Sequence, residues 1–144
     1  MRKLNVFIFV CLLGLGSCKI KEVGVDYSTG DLTGDSPSGK TWKLTKLLVS
    51  GADYPMTDCL KSERFIFIKN GNATRTSTKQ INSCNFSDQN GSWSAVKRKL
   101  IFSTNNSFVQ YEVVLINENE LVLRGNRTLG PTRYEGVEET WSKE

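Results

Sequence analysis

Short apolar runs separated by turn residues are the sequence feature that most constrains the fold of this chain. Eight runs of strand length follow one another between residues 39 and 144. They cover residues 41–49, 64–69, 73–79, 92–96, 99–103, 108–117, 120–124 and 133–141. No helical period of useful length lies between them, so the pattern predicts an all-β domain.

The segments between these runs are rich in Gly, Asn, Asp and Pro, the residues that favour turns. Examples are Ser50-Gly51, the segment from Asp88 to Gly91, and Gly130-Pro131. Loops of hairpin length join consecutive strands, which favours an antiparallel meander. Closing the meander on itself would remove its two unpaired edges. We therefore predict an eight-stranded antiparallel up-and-down barrel.

The alternation of apolar and polar residues predicts which side chains point into the barrel. In the run that starts at Phe108, the inward face should carry Val109, Tyr111, Val113 and Leu115. In the first run, Trp42, Leu44 and Leu48 should share a face. The run from Phe65 to Ile68 is apolar on both faces, which predicts a cover from residues 53–62 with a helical turn near Cys59.

The first 17 residues have the composition of an export signal. Arg2 and Lys3 precede an apolar run of about 12 residues, and Leu15-Gly16-Ser17-Cys18 follows it. This arrangement resembles bacterial lipoprotein signals. The resemblance implies cleavage before Cys18, attachment of acyl chains such as palmitate to Cys18, and a membrane-anchored protein of the cell envelope. Lys19 after the cysteine favours the outer membrane.

Two other interpretations of this region stay open. The apolar run could be a signal anchor that is never cleaved, or Cys18 could be an ordinary thiol. The run is shorter than the roughly 20 residues that a membrane-spanning helix needs. The acyl chains, rather than the peptide, would then attach the protein to the bilayer.

The composition of residues 18–38 predicts a linker, because polar and small residues dominate and neither a helical nor a strand period is present. An edge strand around residues 23–27 is the alternative. The predicted organisation is therefore a signal peptide over 1–17, an acylated cysteine and flexible linker over 18–38, and a barrel domain over 39–144.

Charge and cysteine content limit the partners. Two of the 19 basic residues leave with the signal, so the remaining chain has 17 basic and 15 acidic residues. The basic residues form no dense block, so nucleic acid is not an expected partner. Cys59 and Cys84 form the remaining cysteine pair, and export favours a disulfide between them. Two free thiols or half of a metal site are the alternatives. The chain has no histidine, so we expect no metal site and no cofactor.

The sequence does not support catalysis. Without histidine there is no Ser-His or Cys-His pair, and neither a phosphate-binding glycine loop nor a carboxylate pair in a recognisable context is present. We therefore expect a protein that is not an enzyme.

Several short motifs occur in the order found in a known family. The domain opens with Gly39-Lys40-Thr41-Trp42, which is followed by a Phe-rich strand with Asn-Gly. Later motifs are Gly91-Ser92-Trp93-Ser94 and Leu121-Val122-Leu123, and the two cysteines lie between the motifs. In this order the domain resembles small lipocalin-like lipoprotein domains of Bacteroidetes-type bacteria. In lipocalins the first tryptophan plugs the closed end of the barrel beneath a basic side chain. The resemblance gives that role to Trp42 and Arg133, with Arg124 as the alternative.

The resemblance implies a carrier of a small apolar or amphipathic ligand, monomeric and attached to the membrane through Cys18. The ligand would contact six side chains in the barrel. These are Phe65, Phe67, Val109, Tyr111, Val113 and Leu123. The alternative is a protein-binding or inhibitory barrel with a filled interior, whose partner would contact loops 53–62 or 103–107. A connected apolar cavity of at least about 300 Å³ would favour the carrier.

Overall fold

The computed structural model describes residues 29–79 and 84–144, and within these ranges the chain forms nine strands and two short helices. Their bounds in chain order are α1 Thr29–Thr33, β1 Lys40–Val49, β2 Ala52–Asp53, α2 Asp58–Lys61, β3 Arg64–Phe67, β4 Asn72–Thr78, β5 Phe86–Val96, β6 Lys99–Ser103, β7 Phe108–Ile116, β8 Glu120–Leu129 and β9 Thr132–Lys143. Cys18 and the predicted signal peptide lie outside the described residues.

The strands form one closed antiparallel barrel. From β3 onward each strand pairs with the next in the chain, β1 pairs with β3, and β9 returns to pair with β1. Closure gives every long strand two neighbours over part of its length. β2 is a two-residue addition to β1, joined by Ser50 and Gly51, whose positive φ angles suit a tight hairpin turn. The predicted eight-stranded up-and-down barrel is confirmed.

Most strands are close to their predicted positions, but β5 begins earlier and β8 ends later than expected. The segment from Asp88 to Gly91, predicted as a turn, lies inside β5 and pairs with β4. Its polar side chains bond across the pair, with Thr76 donating to Asp88 at 2.7 Å. Gly91 is required by a close approach rather than a turn, because an added Cβ would lie 2.0 Å from the carbonyl oxygen of Ser103.

Two bulges change which side chains face the core. A bulge between Leu44 and Lys46 shifts the alternation, so Leu47 is buried in place of the predicted Leu48. A second bulge, between Val113 and Leu115, leaves Leu115 41% exposed. The inward positions predicted for Leu48 and Leu115 are therefore wrong, because one extra residue reverses the faces of everything that follows it.

The barrel has two distinct ends. At the closed end, Trp42 is completely buried and its indole Nε1 donates to the carbonyl of Leu32 in α1 at 3.0 Å. At the other end, called the mouth here, α2 buries Cys59 and Leu60, confirming the helical turn near Cys59. The side chain of Thr57 caps this helix by accepting from the Leu60 N–H.

Residues 29–38 belong to the folded domain, although they were predicted as linker. Leu32 is 1% exposed and Thr33 is equally buried. The polar composition of this segment predicted a spacer. Leu32 nevertheless holds α1 over Trp42, because its side chain is buried and its carbonyl accepts from the indole. In residues 29–79 and 84–144 no helix is long and apolar enough to cross a membrane.

Candidate functional site

The interior of the barrel contains a chain of buried ionised side chains toward the mouth. Arg75 of β4 donates to both carboxylate oxygens of Glu139 of β9, at 3.0 and 3.2 Å. Arg127 of β8 donates to Glu139 at 2.7 Å and to Glu63 at 2.7 Å. Glu63 in turn accepts from the backbone N–H of Thr78. Two guanidinium groups are thus matched by two carboxylates, which makes the network formally neutral.

Aromatic rings surround one end of this network. The Arg75 guanidinium carbon lies 5.5–5.6 Å from the ring centroids of Phe65, Tyr111 and Trp141. Arg75 also donates to the Tyr111 hydroxyl. Cation–π attraction therefore supplements the ion pair in a region that excludes water.

The surroundings favour the ionised forms of Glu139 and Arg127. Burial opposes the charge on Glu139, but Arg75 and Arg127 more than offset it and hold the pKa of Glu139 below its usual value. Burial also disfavours the charge on Arg127, yet Glu139 and Glu63 hold the pKa of Arg127 above its usual value. The charged forms of Glu139 and Arg127 are therefore stabilised by their ion-pair partners.

Five of the six side chains predicted to contact a ligand are packed solid. Phe65, Phe67, Tyr111, Val113 and Leu123 are each 0–1% exposed. A residue with so little accessible surface has no water-sized space beside it. Phe65, for example, has the rings of Phe67 and Phe102 at centroid distances of 4.2 and 5.2 Å. A ligand could reach these five only if the core opened, and their ligand-binding role stays a prediction.

The cation over Trp42 is Lys40, not Arg133 or Arg124. The ammonium of Lys40 lies 4.2 Å from the Trp42 ring centroid and donates to the Asp31 carbonyl. Trp42 pairs with Lys143 at the end of β9, whereas Arg133 is at its start, about 30 Å away along an extended strand. Arg124 instead bonds Glu112 and Glu138 on the outside. The prediction for Arg133 is therefore wrong.

A disulfide joins the mouth-end helix to the β4–β5 connection. Cys59 of α2 and Cys84 are bonded, with their Cα atoms 4.7 Å apart and 25 positions apart in sequence. This confirms the predicted pairing. The bond holds α2, and with it the buried Leu60, over the mouth of the barrel.

A cleft opens in the barrel wall between β7 and β8. β7 remains paired with β6 as far as Phe108, and β8 with β9 as far as Leu129, but the β7–β8 pairing reaches only Glu112 and Arg124. The strands are still close at Gly125, where an added Cβ would lie 3.3 Å from the Gln110 carbonyl oxygen. Beyond this point, toward the mouth, β7 and β8 are not paired with each other.

The cleft has a volume of about 580 Å³ and is lined by residues 108–110, 125–128 and Arg133. Phe108 is 73% exposed, and Val109, the sixth predicted ligand residue, is half-buried in its wall. Arg127 lines the cleft and also belongs to the buried network. An extended chain or an amphipathic anion could bind here, because the cleft combines unpaired backbone, the exposed ring of Phe108 and the exposed cation of Arg133.

Sequence reasoning missed the buried network, although a signal for it was present. Glu139 alternates with Val137 and Trp141 at a spacing of two, which places all three on one face of a strand. Arg75 similarly shares its face with Ala73. A charge on an apolar inward face predicts a buried partner of opposite sign. The partners themselves come from distant strands, so one sequence could not identify them.

Comparisons with known proteins agree on the fold. A family model described as a lipocalin-like domain matches residues 39–123. The chain is also similar to a lipocalin-like protein from Bacteroides uniformis ATCC 8492, with 16% identity, a TM-score of 0.56, and coverage of 80% of this chain and 100% of that one. An uncharacterised protein from Bacteroides eggerthii DSM 20697 has 13% identity, a TM-score of 0.51, and coverage of 72% and 97%. No curated protein matches.

Proposed function

Because this chain belongs to the lipocalin-like domain family, we propose that it is a lipid-anchored binding protein of the cell envelope. Its barrel would bind a protein partner at the mouth end instead of carrying a small molecule inside. The observation that carries this proposal is the solid interior, in which five predicted ligand residues are 0–1% exposed. A carrier needs enclosed space for its cargo, typically about 300–1,000 Å³.

The mouth end offers the features of a protein-binding face. The edges of β7 and β8 that flank the cleft present unpaired backbone groups, to which an extended segment of a partner can add as a strand. Phe108 supplies an exposed aromatic ring, and aromatic residues are enriched at interfaces. Arg133 supplies a cation for an acidic residue of the partner. Loop 103–107, expected from sequence to contact a partner, leads directly into Phe108.

Attachment through Cys18 supports the same arrangement. The export signal places the acyl chains N-terminal to α1, and α1 packs at the closed end. The mouth would then lie on the side of the domain away from the tether. A partner in the envelope or beyond could approach it freely.

A second candidate function rests on the size of the cleft. At about 580 Å³ it is large enough for a small amphipathic ligand with a carboxylate toward Arg133 and an apolar part on Phe108 and Val109. This version of the carrier hypothesis uses the outside of the barrel. It shares only Val109 with the six residues predicted from sequence.

Anchoring is tested by metabolic labelling with an alkyne analogue of palmitate. We expect label on the wild-type protein and none on the Cys18→Ala variant, which should also leave the membrane fraction. Label that persists in Cys18→Ala would contradict the anchor.

The site of binding is tested with a fluorescent fatty acid as the probe. A solid interior predicts no saturable one-to-one binding that depends on the core. Saturable binding that Arg133→Gln weakens and Phe65→Leu does not would favour the second candidate. Saturable binding that Phe65→Leu weakens in a folded variant would overturn the proposal.

The protein partner is tested by co-purification from the native cells. Phe108→Ser should lose any stoichiometric partner that the wild type retains, while Leu115→Ser, which also removes an exposed apolar side chain on β7, should keep it. Equal loss in both variants, or a partner retained by both, would contradict binding at the mouth.

A further inference from the structure

The β5–β6 hairpin carries a compact group of cations beside apolar surface. Lys97, Arg98 and Lys99 are consecutive and all exposed, and they follow Val96, which is 68% exposed. Val96 and Lys99 pair across the hairpin, as do Ser94 and Ile101. Because Trp93, Ala95 and Leu100 face the core, these four side chains point to the outside of the barrel.

These residues form a shallow cleft of about 510 Å³ with a mostly apolar lining. Val96 and Ile101 line it together with Ser94 and the three basic residues. The aliphatic parts of Lys and Arg side chains can cover apolar surface while their charged ends reach water. Within the described residues no ion pair engages Lys97 or Lys99. Arg98 is held locally, since its guanidinium contacts the carbonyls of Val113 and Val114 at 3.4 Å.

The hairpin lies at the closed end of the barrel. β5 pairs with β4 from Phe86, beside Thr78 at the mouth, to Ser92, beside Asn72 at the closed end. It then continues four residues further, to Val96. The chain enters the barrel at this same end, where α1 covers Trp42.

The length of the N-terminal chain limits how far this end can be from a membrane. Thr29, the first described residue, lies 11 positions after Cys18. Even fully extended, this stretch spans at most about 40 Å. The basic hairpin is therefore presented within reach of the surface to which an acylated Cys18 would attach.

We propose that the tip of the β5–β6 hairpin docks the domain on an anionic lipid surface, with the closed end toward the membrane and the mouth away from it. Lys97, Arg98 and Lys99 would contact the headgroups, and Val96 would enter the interfacial region. The acyl chains on Cys18 would hold the protein at the membrane. Cationic groups near an anionic surface add an attraction that would orient the domain on that surface. The proposal rests on the anchoring through Cys18 proposed above.

The test uses the full acylated protein with one added thiol. Cys59 and Cys84 are bonded to each other, and Cys18 would carry lipid, so a Val96→Cys substitution supplies a unique site for a polarity-sensitive dye. Lys61→Cys, on α2 at the mouth, is the matched control position. The labelled proteins are reconstituted in vesicles of phosphatidylcholine alone or mixed with phosphatidylglycerol.

We expect the dye at position 96 to report an apolar environment on the anionic vesicles, and the dye at position 61 to report water on both. Roughly 1 M salt should abolish the difference, because screening then acts within about 3 Å. Adding Lys97→Gln and Lys99→Gln should shift the docking equilibrium by roughly thirty-fold toward the free domain. Lys46→Gln with Lys61→Gln removes two exposed lysines elsewhere and should leave docking unchanged when the dye is at position 96.

Flotation separates the two proposals. Protein that floats with both kinds of vesicle, but whose dye at position 96 reports water on both, retains its anchor and overturns the docking. Equal effects of the two pairs of lysine substitutions would also overturn it. Protein that floats with neither kind of vesicle would overturn the anchor and, with it, this orientation.

Discussion

At the scale of single residues, the carboxylate of Glu139 joins the two arginines of the buried network. It is 1% exposed and accepts hydrogen bonds from Arg75 and Arg127 at once. Replacing a buried ion network by apolar side chains is often neutral, but removing one member leaves an unpaired charge in a dry site. We therefore expect the network to specify how β4, β8 and β9 pack together more than it adds to the free energy of unfolding.

We expect Glu139→Gln to lower the free energy of unfolding by about 3–5 kcal/mol, because it leaves two buried guanidinium groups with too little negative charge. Denaturation in urea measures this effect. Glu138→Gln is the matched control, since Glu138 is the neighbouring residue and pairs with the partly exposed Arg124. It should cost less than about 1 kcal/mol. Similar costs for the two variants would contradict a special role for the buried network.

The same carboxylate predicts a dependence of stability on pH. The pKa of Glu139 is lowered in the folded protein, chiefly because Arg75 and Arg127 outweigh burial. The resulting stabilisation is present above the pKa of an unfolded glutamate, about 4.3, and is lost as pH falls through the folded-state pKa. The difference in melting temperature between wild type and Glu139→Gln should thus be constant near neutral pH and shrink in acid. A difference that grows in acid would contradict it.

Gly125 is the residue at which β7 and β8 begin to separate, and its lack of a side chain is required there. A Cβ at this position would lie 2.7 Å from Cδ1 of the buried Tyr111 ring. We expect Gly125→Ala to destabilise the protein by about 1–3 kcal/mol, because the ring has no space to move into. Thermal unfolding tests this prediction. An unchanged melting temperature would show that the Tyr111 ring can move away from position 125.

Single residues also show where sequence reasoning succeeds. The burial of Trp42 and the pairing of Cys59 with Cys84 follow from residue type and context. The partner of Trp42 did not follow, because Lys40 lies two positions away on the same strand while the expected arginines lie on distant strands. The distance of Arg133 from Trp42 depends on the lengths of β8 and β9. Sequence reasoning underestimated the length of β8, so the distance to Arg133 was not foreseen.

At the scale of elements, residues typical of turns can also lie inside a strand, where they form cross-strand hydrogen bonds or allow close approach of a neighbouring backbone. β5 contains Asp88, Asn90 and Gly91, which together resemble a loop. The first two bond to threonines of β4, and Gly91 admits the backbone of β6. Bulges are equally hard to foresee, since a single extra residue in β1 or β7 leaves no mark in composition.

The helix α1 gives an element-scale prediction. Leu32 joins α1 to the closed end of the barrel and is 1% exposed. Leu32→Ala should lower the free energy of unfolding by about 2–5 kcal/mol, the range for deleting a buried leucine side chain. Asp35→Ala, a change in the same segment at an exposed side chain, should cost less than about 0.5 kcal/mol. Equal small effects would mean that the folded domain does not need residues 29–38.

The disulfide gives a second prediction at this scale. Replacing Cys59 and Cys84 by serine should cost about 3–4 kcal/mol, because the bond restricts a loop of some 25 residues in the unfolded chain. Urea denaturation with and without reductant measures it. Reductant should destabilise the wild type to a similar extent and leave the double variant unaffected. If reductant changed neither protein, the bond would have no part in stability.

At the scale of the whole molecule, the barrel itself was predictable because its evidence is spread over eight runs and seven connections. Errors at individual turns did not change the number or direction of the eight strands that form the barrel. The contents of the barrel were less predictable, since alternation assigns residues to the interior but does not say how completely they fill it. Here aromatic rings and an ion network occupy the space in which a carrier would hold its cargo.

The proposed arrangement assigns a different task to each end of the molecule. The closed end carries the tether and the basic hairpin, while the mouth carries the β7–β8 cleft and the disulfide-bound helix. The buried network lies between the two and reaches the cleft through Arg127. A partner bound in the cleft would therefore contact a member of the buried ion network.

Native mass spectrometry of the acylated protein, taken from its own cells, tests the solid interior most directly. A solid interior predicts a mass equal to the chain from Cys18 onward plus its acyl groups, with no further small molecule bound in stoichiometric amount. A stoichiometric non-covalent cargo that survives in Arg133→Gln and is released only when the barrel unfolds would contradict it.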